Sequence, residues 1–149
     1  MIVRLERQTH FESPVDWYLI TKKNLLLFDC AGAAVTCVVT GLILTTVVQT
    51  GLPTGLLWAL AATAALFACF DLYAYFHASD ACWPLATIGL LNLTYCLTAI
   101  MFCVAFASTV TMLGVIYFTV ESMIVIPLAA LELTVARHCC RVKRNDNQL

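Results

Sequence analysis

Residues 112–136 read MLGVIYFTVESMIVIPLAALELTVA, an apolar run long enough to cross a lipid bilayer as a single helix. A membrane-spanning helix needs about 20 predominantly apolar residues, because the hydrocarbon core is about 30 Å thick. Within this run only Glu121 and Glu132 are charged. Segments at about 25–48, 55–76 and 85–107 have the same apolar character. The sequence therefore predicts four membrane spans.

The composition of the whole chain agrees with this prediction. Of its 149 residues, 62% are hydrophobic and 11% are charged, whereas a soluble domain carries about 25% charged residues. The spans are expected to be helices, because a helix pairs every backbone N–H and C=O within one segment. A barrel is excluded because the apolar runs are continuous rather than alternating. We predict an all-α membrane protein, a four-helix transmembrane bundle forming a single domain over residues 1–149.

The positions of the basic residues predict the orientation of this multi-pass protein. Every cation lies outside the apolar runs, towards one of the two ends of the chain: Arg4, Arg7, Lys22, Lys23, Arg137, Arg141, Lys143 and Arg144. The loops at 49–54 and 108–111 carry no charge and are too short to form an extracellular domain. Because cytoplasmic flanks are enriched in Lys and Arg, both termini are predicted to be cytoplasmic.

The two flanks are predicted to differ in structure. Residues 1–24 contain no apolar stretch typical of a secretory signal, so the first span is expected to direct its own insertion. Ser13 and Pro14 are suited to begin a short interfacial helix within this arm, as N-cap and first helical residue. Residues 137–149 form a basic tail.

The eight cysteines do not indicate a disulfide framework. Most lie inside apolar runs, where cysteine behaves as a small buried hydrophobic residue. Cys139 and Cys140 lie beside predicted cytoplasmic arginines, where thiols stay reduced, and in a eukaryote they would be candidates for S-palmitoylation. The His, Asp and Cys residues at 77–82 and 138–140 match no zinc spacing. Neither a metal site nor a cofactor is expected.

The acidic residues within the predicted spans need a specific explanation. Asp29 and Glu132 are expected to hydrate or form ion pairs at the interface, being close to Lys22, Lys23 and Arg137. Asp71 is expected either to hydrogen bond with Asn92 or Tyr75 or to be functional. Counting 1.5 Å per residue places Glu121 near the midplane, level with Tyr95. Glu121 and Glu132 are expected to share an inward face of their helix.

A charged side chain at the bilayer centre costs at least about 2.5 kcal/mol by insertion scales, and such residues often belong to proton relays or ion paths. An acid without a cationic partner must be protonated, hold a cation or reach water. Pro127 removes a hydrogen bond to the carbonyl of Met123 and is expected to kink the fourth span. The candidate proton- or cation-binding residues are Glu121, Asp71, Asn92, Asp29, Glu132 and Tyr95.

The sequence leaves several functions open. No hydrolase, metalloprotease or phosphate-loop motif is present, so no catalytic residue is predicted, and nucleic acid is not an expected partner. The favoured function is a non-enzymatic scaffold or accessory subunit, held in the lipid bilayer with other membrane subunits or with further copies of itself. The alternative is a small proton- or cation-coupled carrier. An enzyme acting on lipid is a third alternative, with Asp71, His77 and Glu132 as its only acid–base groups.

Overall fold

The structure, a computed structural model, describes residues 14–77 and 82–146. Helix α1 covers Pro14–Val38 and continues through a π-helical turn, Val39–Ile43, into the short helical segment Leu44–Thr46. Helices α2, α3 and α4 cover Thr54–His77, Trp83–Ala105 and Met112–Asp146. Each of the four is long and apolar enough to span a membrane. The prediction of an all-α bundle of four apolar helices is confirmed.

The first and last helices are longer than the spans that they contain. Helix α1 begins at Pro14, at the position expected for a helix start, and passes into the first span without a break. Helix α4 continues through Pro127 and runs on to Asp146. The segment that the sequence left as a basic tail is therefore helical from Arg137 to Asp146. Both helices are expected to project beyond the hydrocarbon.

The bundle is built from two helix pairs, α1 with α2 and α3 with α4, which touch each other less extensively. Glycine permits close approach within each pair. A methyl group on Gly41 of α1 would lie 3.0 Å from Ala61 Cβ of α2, and one on Gly89 of α3 would lie 2.9 Å from Leu133 Cγ of α4. Small residues at such positions let helices pack closely in lipid. Close packing matters there because lipid is as apolar as the helices, so the hydrophobic effect does not drive them together.

The connecting loops join the two pairs at one end. Thr111 donates its backbone N–H to the Thr50 carbonyl at 2.8 Å and its hydroxyl to the Gln49 carbonyl at 2.8 Å. Gly51 has a positive φ of 76°, and a side chain there would overlap the backbone of Thr109. Glycine is required at this position for both reasons. The two loops therefore form one hydrogen-bonded unit.

A disulfide joins Cys82 and Cys139 at the opposite end, between the start of α3 and the last part of α4. Their Cα atoms are 5.8 Å apart, within the range that a disulfide requires. The expectation that all cysteines are reduced is therefore wrong for this pair, and Cys139 is not available for lipidation. The remaining cysteines are free thiols, and Cys140 is exposed. The two cysteines are 57 residues apart in the sequence, so their spacing does not predict this contact.

We expect alkylation to reveal this bond. In chain trapped with N-ethylmaleimide and denatured without reductant, six of the eight cysteines should be modified, and all eight after reduction. Cys82→Ser should release Cys139 and give seven modified thiols without reduction, as measured by intact mass. The control Cys140→Ser should remove one adduct under both conditions. Modification of all eight cysteines before reduction would rule the disulfide out.

Candidate functional site

Each of the four helices contributes one polar side chain to a buried group, here called the polar cluster: Asp29 of α1, Asp71 of α2, Asn92 of α3 and Glu132 of α4. Asp71 and Glu132 are 0% exposed, and Asp29 and Asn92 are 4% and 5% exposed. Such burial is unusual for acids, which are rarely found fully enclosed without a partner. The fold therefore brings one polar side chain from each helix together at one level of the bundle.

Asn92 bridges the two helix pairs within the polar cluster. Its side-chain amide donates to Asp29 Oδ1 at 2.9 Å and to Glu132 Oε2 at 3.4 Å. Among the described residues no hydrogen bond joins Asp71 to Asn92 or Tyr75. The side chain within hydrogen-bond reach of Asp71 is Asp29. An amide has two N–H donors. The N–H groups of Asn92 are directed to Asp29 and Glu132, so no donor of this amide remains for Asp71.

Several acceptors of the polar cluster are unsatisfied. As ionised carboxylates, Asp71, Asp29 Oδ2 and Glu132 Oε1 accept no hydrogen bond from the described residues. The Asp29 and Asp71 carboxyl groups are nevertheless within hydrogen-bond reach of each other, a contact that forms when one of them carries a proton. Asp29 is near enough to both Asp71 and Glu132 to interact with them electrostatically. Unsatisfied buried acceptors are costly, at about 1–3 kcal/mol each. The polar cluster thus retains unused capacity to accept hydrogen bonds.

The expectation that Asp29 and Glu132 hydrate at the interface is wrong. One helical turn towards the ends of the helices, Leu26 of α1, Ala74 of α2, Ile88 of α3 and Ala136 of α4 form part of a buried apolar layer. This layer covers the polar cluster on the side of the termini. Arg137, which the sequence suggested as a neighbour of Glu132, is exposed instead.

Glu121 lies in a second polar group, the tyrosine network, with Tyr95, Tyr117 and Thr40. Its Oε1 accepts hydrogen bonds from the hydroxyls of Tyr95 and Tyr117, both at 3.4 Å. The Tyr117 hydroxyl also lies 3.1 Å from Thr40 Oγ1. Glu121 is buried and is level with Tyr95, as its spacing along the helix indicated. These contacts connect α1, α3 and α4.

Sequence reasoning missed two members of the tyrosine network. Tyr117 precedes Glu121 by one helical turn, a spacing that places two side chains on the same face. That signal was available in the sequence. Thr40 lies in the π-helical turn of α1 and is 0% exposed. A π-helical turn rotates the side chains that follow it and has no clear sequence pattern, although such turns are frequent at functional sites.

A cavity of about 860 Å³ lies between α1 and α4 and connects the two polar groups. Asp29 and Asn92 line it at one level, and Tyr95 and Glu121 line it at another. Its other walls are largely apolar, and several of them are exposed within the spans: Phe28, Val35, Ile124 and Leu131. Exposed apolar side chains of a membrane span face lipid. The mouth of the cavity therefore opens sideways towards the bilayer.

The residues of the predicted rim do not form a site. No group of three or more His, Cys, Asp or Glu side chains in the described ranges 14–77 and 82–146 is arranged to hold a metal ion. His77 is exposed and lies 3.2 Å, through Nδ1, from the carbonyl of Tyr73 on its own helix. Asp80 lies outside the described residues. The acids of the bundle therefore meet in its interior, not at this rim.

Comparison with known proteins does not assign a family. No protein-family model, curated protein or solved structure matches the chain. Function must therefore be argued from the polar cluster, the tyrosine network and the cavity themselves.

Packing at Gly89 should be essential for the polar cluster. A methyl group there would lie 2.9 Å from Leu133 Cγ, 3.0 Å from the Ala129 carbonyl oxygen and 3.3 Å from Glu132 Cβ. Gly89→Ala should therefore lower the thermal unfolding midpoint in detergent, since overpacking costs about 1–3 kcal/mol. Gly32→Ala is the control, because a methyl group there has nothing within 4 Å. Equal midpoints for the two variants would contradict this account.

The bridge made by Asn92 should also contribute to stability. Asn92→Leu leaves Asp29 Oδ1 and Glu132 Oε2 without their donor, at a cost of about 1–3 kcal/mol for each stranded acceptor. We expect a lower unfolding midpoint than for Thr94→Val, whose exposed hydroxyl donates only to the Leu90 carbonyl of its own helix. If Asn92→Leu unfolded at the wild-type temperature, the amide would have no bridging role.

Proposed function

We propose that this four-span membrane protein is a small proton-coupled carrier that exchanges protons at the polar cluster. The observation that supports the proposal is the buried convergence of Asp29, Asp71, Asn92 and Glu132, one from each span, with the Asp29 and Asp71 carboxyl groups close enough to share a proton. Membrane acids are costly and commonly belong to proton relays. Helix packing alone gives no reason to bury three of them together.

A proton is the species that best suits this arrangement. Carboxylates held close together oppose each other's ionisation, so a group of them can share protons, as carboxylate pairs in enzymes do. Divalent metals require several ligands in a defined geometry. The described residues contain no such set. Gain and loss of a proton also change the repulsion between helices that carry these groups.

The cavity provides a route for coupling. Asp29 and Asn92 belong to the polar cluster and also line the cavity. A molecule bound in the cavity would therefore contact the groups that hold the proton. Coupling between two ligands requires that each alters the free energy of binding the other. Asp29 meets this requirement because it belongs to the polar cluster and also lines the cavity.

The division into two helix pairs supports a carrier in a second way. The pairs are joined at one end by the Thr111 hydrogen bonds and are bridged in the interior by Asn92. Rigid-body movement of one pair against the other is a common means of alternating access. In the proposed cycle, protonation of the polar cluster weakens repulsion between the pairs and favours one arrangement over the other.

A scaffold or accessory subunit, the function favoured by the sequence, stays a prediction. In that function the polar cluster only fixes helix packing, and partner subunits or further copies of the chain supply the activity. The cytoplasmic location of both termini is likewise a prediction from the basic residues. The experiment below separates the carrier from the scaffold.

Proton exchange should be visible in the infrared spectrum of the chain reconstituted in lipid. Wild type should show a protonated carboxyl C=O band that disappears reversibly as the pH rises, and Asp71→Asn should lose part of it. The control Glu6→Gln removes an acid from the N-terminal arm and should leave the band unchanged. A spectrum without a titrating band would favour the scaffold.

A further inference from the structure

The cavity between α1 and α4 combines an acidic wall with an apolar mouth. Two carboxyl groups, Asp29 and Glu121, face it together with the Asn92 amide and the Tyr95 hydroxyl. Among the described residues that line it, none is Lys, Arg or His. The mouth is framed by Phe28 and Val35 of α1 and by Ile124 and Leu131 of α4, all exposed.

We propose that this cavity binds an amphiphile with a protonated amine head and a hydrocarbon tail, which enters sideways from the lipid. This inference rests on the proposed function, because it names the class of cargo; the proton that the amine displaces is held by Glu121, at the other level of the same cavity. The ammonium group is received at Glu121, beside the Tyr95 hydroxyl. The tail extends through the mouth along Val35 and Ile124 into the surrounding lipid.

The polar wall selects the charge of the ligand. An ammonium group has three N–H donors and no acceptor, which matches a wall dominated by carboxyl and hydroxyl oxygens. Glu121 lies on this wall and is 8% exposed, so its carboxyl group is the one that a bound head can reach. Charge-assisted hydrogen bonds to carboxylates are about twice as strong as neutral ones. A carboxylate or phosphate head would instead be repelled by the same groups.

The apolar mouth selects the rest of the ligand. Ligand cavities are usually apolar with a few polar groups that fix orientation. Here the apolar side chains lie at the opening and the polar ones lie behind them, so a purely polar cation would leave the mouth unfilled. A ligand with its tail in lipid also crosses no polar barrier on entry, because the opening is already at the level of the hydrocarbon.

Binding of the amine is expected to displace a proton. An ammonium ion and a proton compete for the Glu121 carboxyl group, so one proton leaves for water when a charged amine binds. The groups that face Glu121 are Tyr95 and Cys96 of α3 and Tyr117 of α4, with Thr36 of α1 in hydrogen-bond reach. Asp29 lines the cavity at the other level. Helix α2 contributes only Ala64 and Phe67 to the described lining.

The test uses dodecylamine with the purified full chain in a non-ionic detergent, compared with dodecanol and dodecanoate of the same tail length. Dodecylamine should raise the thermal unfolding midpoint, as any ligand of the folded state does, and should release protons into a weakly buffered solution that contains a pH indicator. Dodecanol should have little effect, and dodecanoate none. An equal response to the three would mean that the cavity only accommodates hydrocarbon, which would overturn the proposal.

Three variants make the test specific. Glu121→Gln should weaken dodecylamine binding about tenfold, the loss expected for one charge-assisted hydrogen bond, and should abolish proton release. Ile124→Trp should obstruct the mouth and weaken binding without changing any charge. The control Thr119→Val removes an exposed hydroxyl that bonds only to the Val115 carbonyl of its own helix, and it should bind as wild type does. Unchanged binding in both Glu121→Gln and Ile124→Trp would refute the site.

The outcome separates this inference from the proposed function. Loss of the amine effect with a titrating infrared band would refute the amine as cargo and leave proton exchange at the polar cluster intact. Amine binding with proton release in wild type, together with an infrared band that Asp71→Asn leaves unchanged, would support the cavity site and contradict proton exchange at the polar cluster. The infrared measurement uses the chain in lipid and the amine measurement uses it in detergent, and both require the folded chain.

Discussion

The burial of acidic groups in a hydrocarbon environment is the constraint on which the rest of this structure depends. Asn92 donates to Asp29 Oδ1 and to Glu132 Oε2, and by doing so joins α1 to α4 through α3. Gly89, one turn earlier on α3, allows the close approach to α4 that this bridge needs. Buried polar networks are stabilising when satisfied and costly when they are not. The contact between the Asp29 and Asp71 carboxyl groups, which needs a shared proton, is therefore the least expected feature of the fold.

The fold could be predicted because hydrocarbon allows few solutions. Continuous apolar runs of span length must be helices, whatever their neighbours are. Contacts between distant residues are harder to predict, because no pattern in the sequence shows which distant residues will meet. Cys82 and Cys139 are 57 residues apart, and their contact follows only from the antiparallel packing of α3 and α4. The π-helical turn at Val39–Ile43 is a small local shift in hydrogen bonding that residue types alone do not encode.

The candidate site was predictable to the extent that helical spacing determines it. Glu121 and Tyr95 were expected at one level, and the Tyr95 hydroxyl does reach Glu121. Asp29 and Glu132 were placed at the interface because their depth was counted from the predicted ends of the spans. Helix α1 begins at Pro14 and α4 continues to Asp146. Because both helices are longer than the spans they contain, a basic residue close to Asp29 or Glu132 in the sequence does not show that the acid is in contact with water.

The disulfide and the basic residues lead to opposite expectations for the same end of the bundle. Arg137 and Arg141 favour the cytoplasmic side, whereas a disulfide is typical of an oxidising compartment. Gly89 lies about two turns beyond Cys82 along α3. Because Gly89 and Asn92 make their own contacts with α4 at that depth, we expect the polar cluster to form with or without the disulfide.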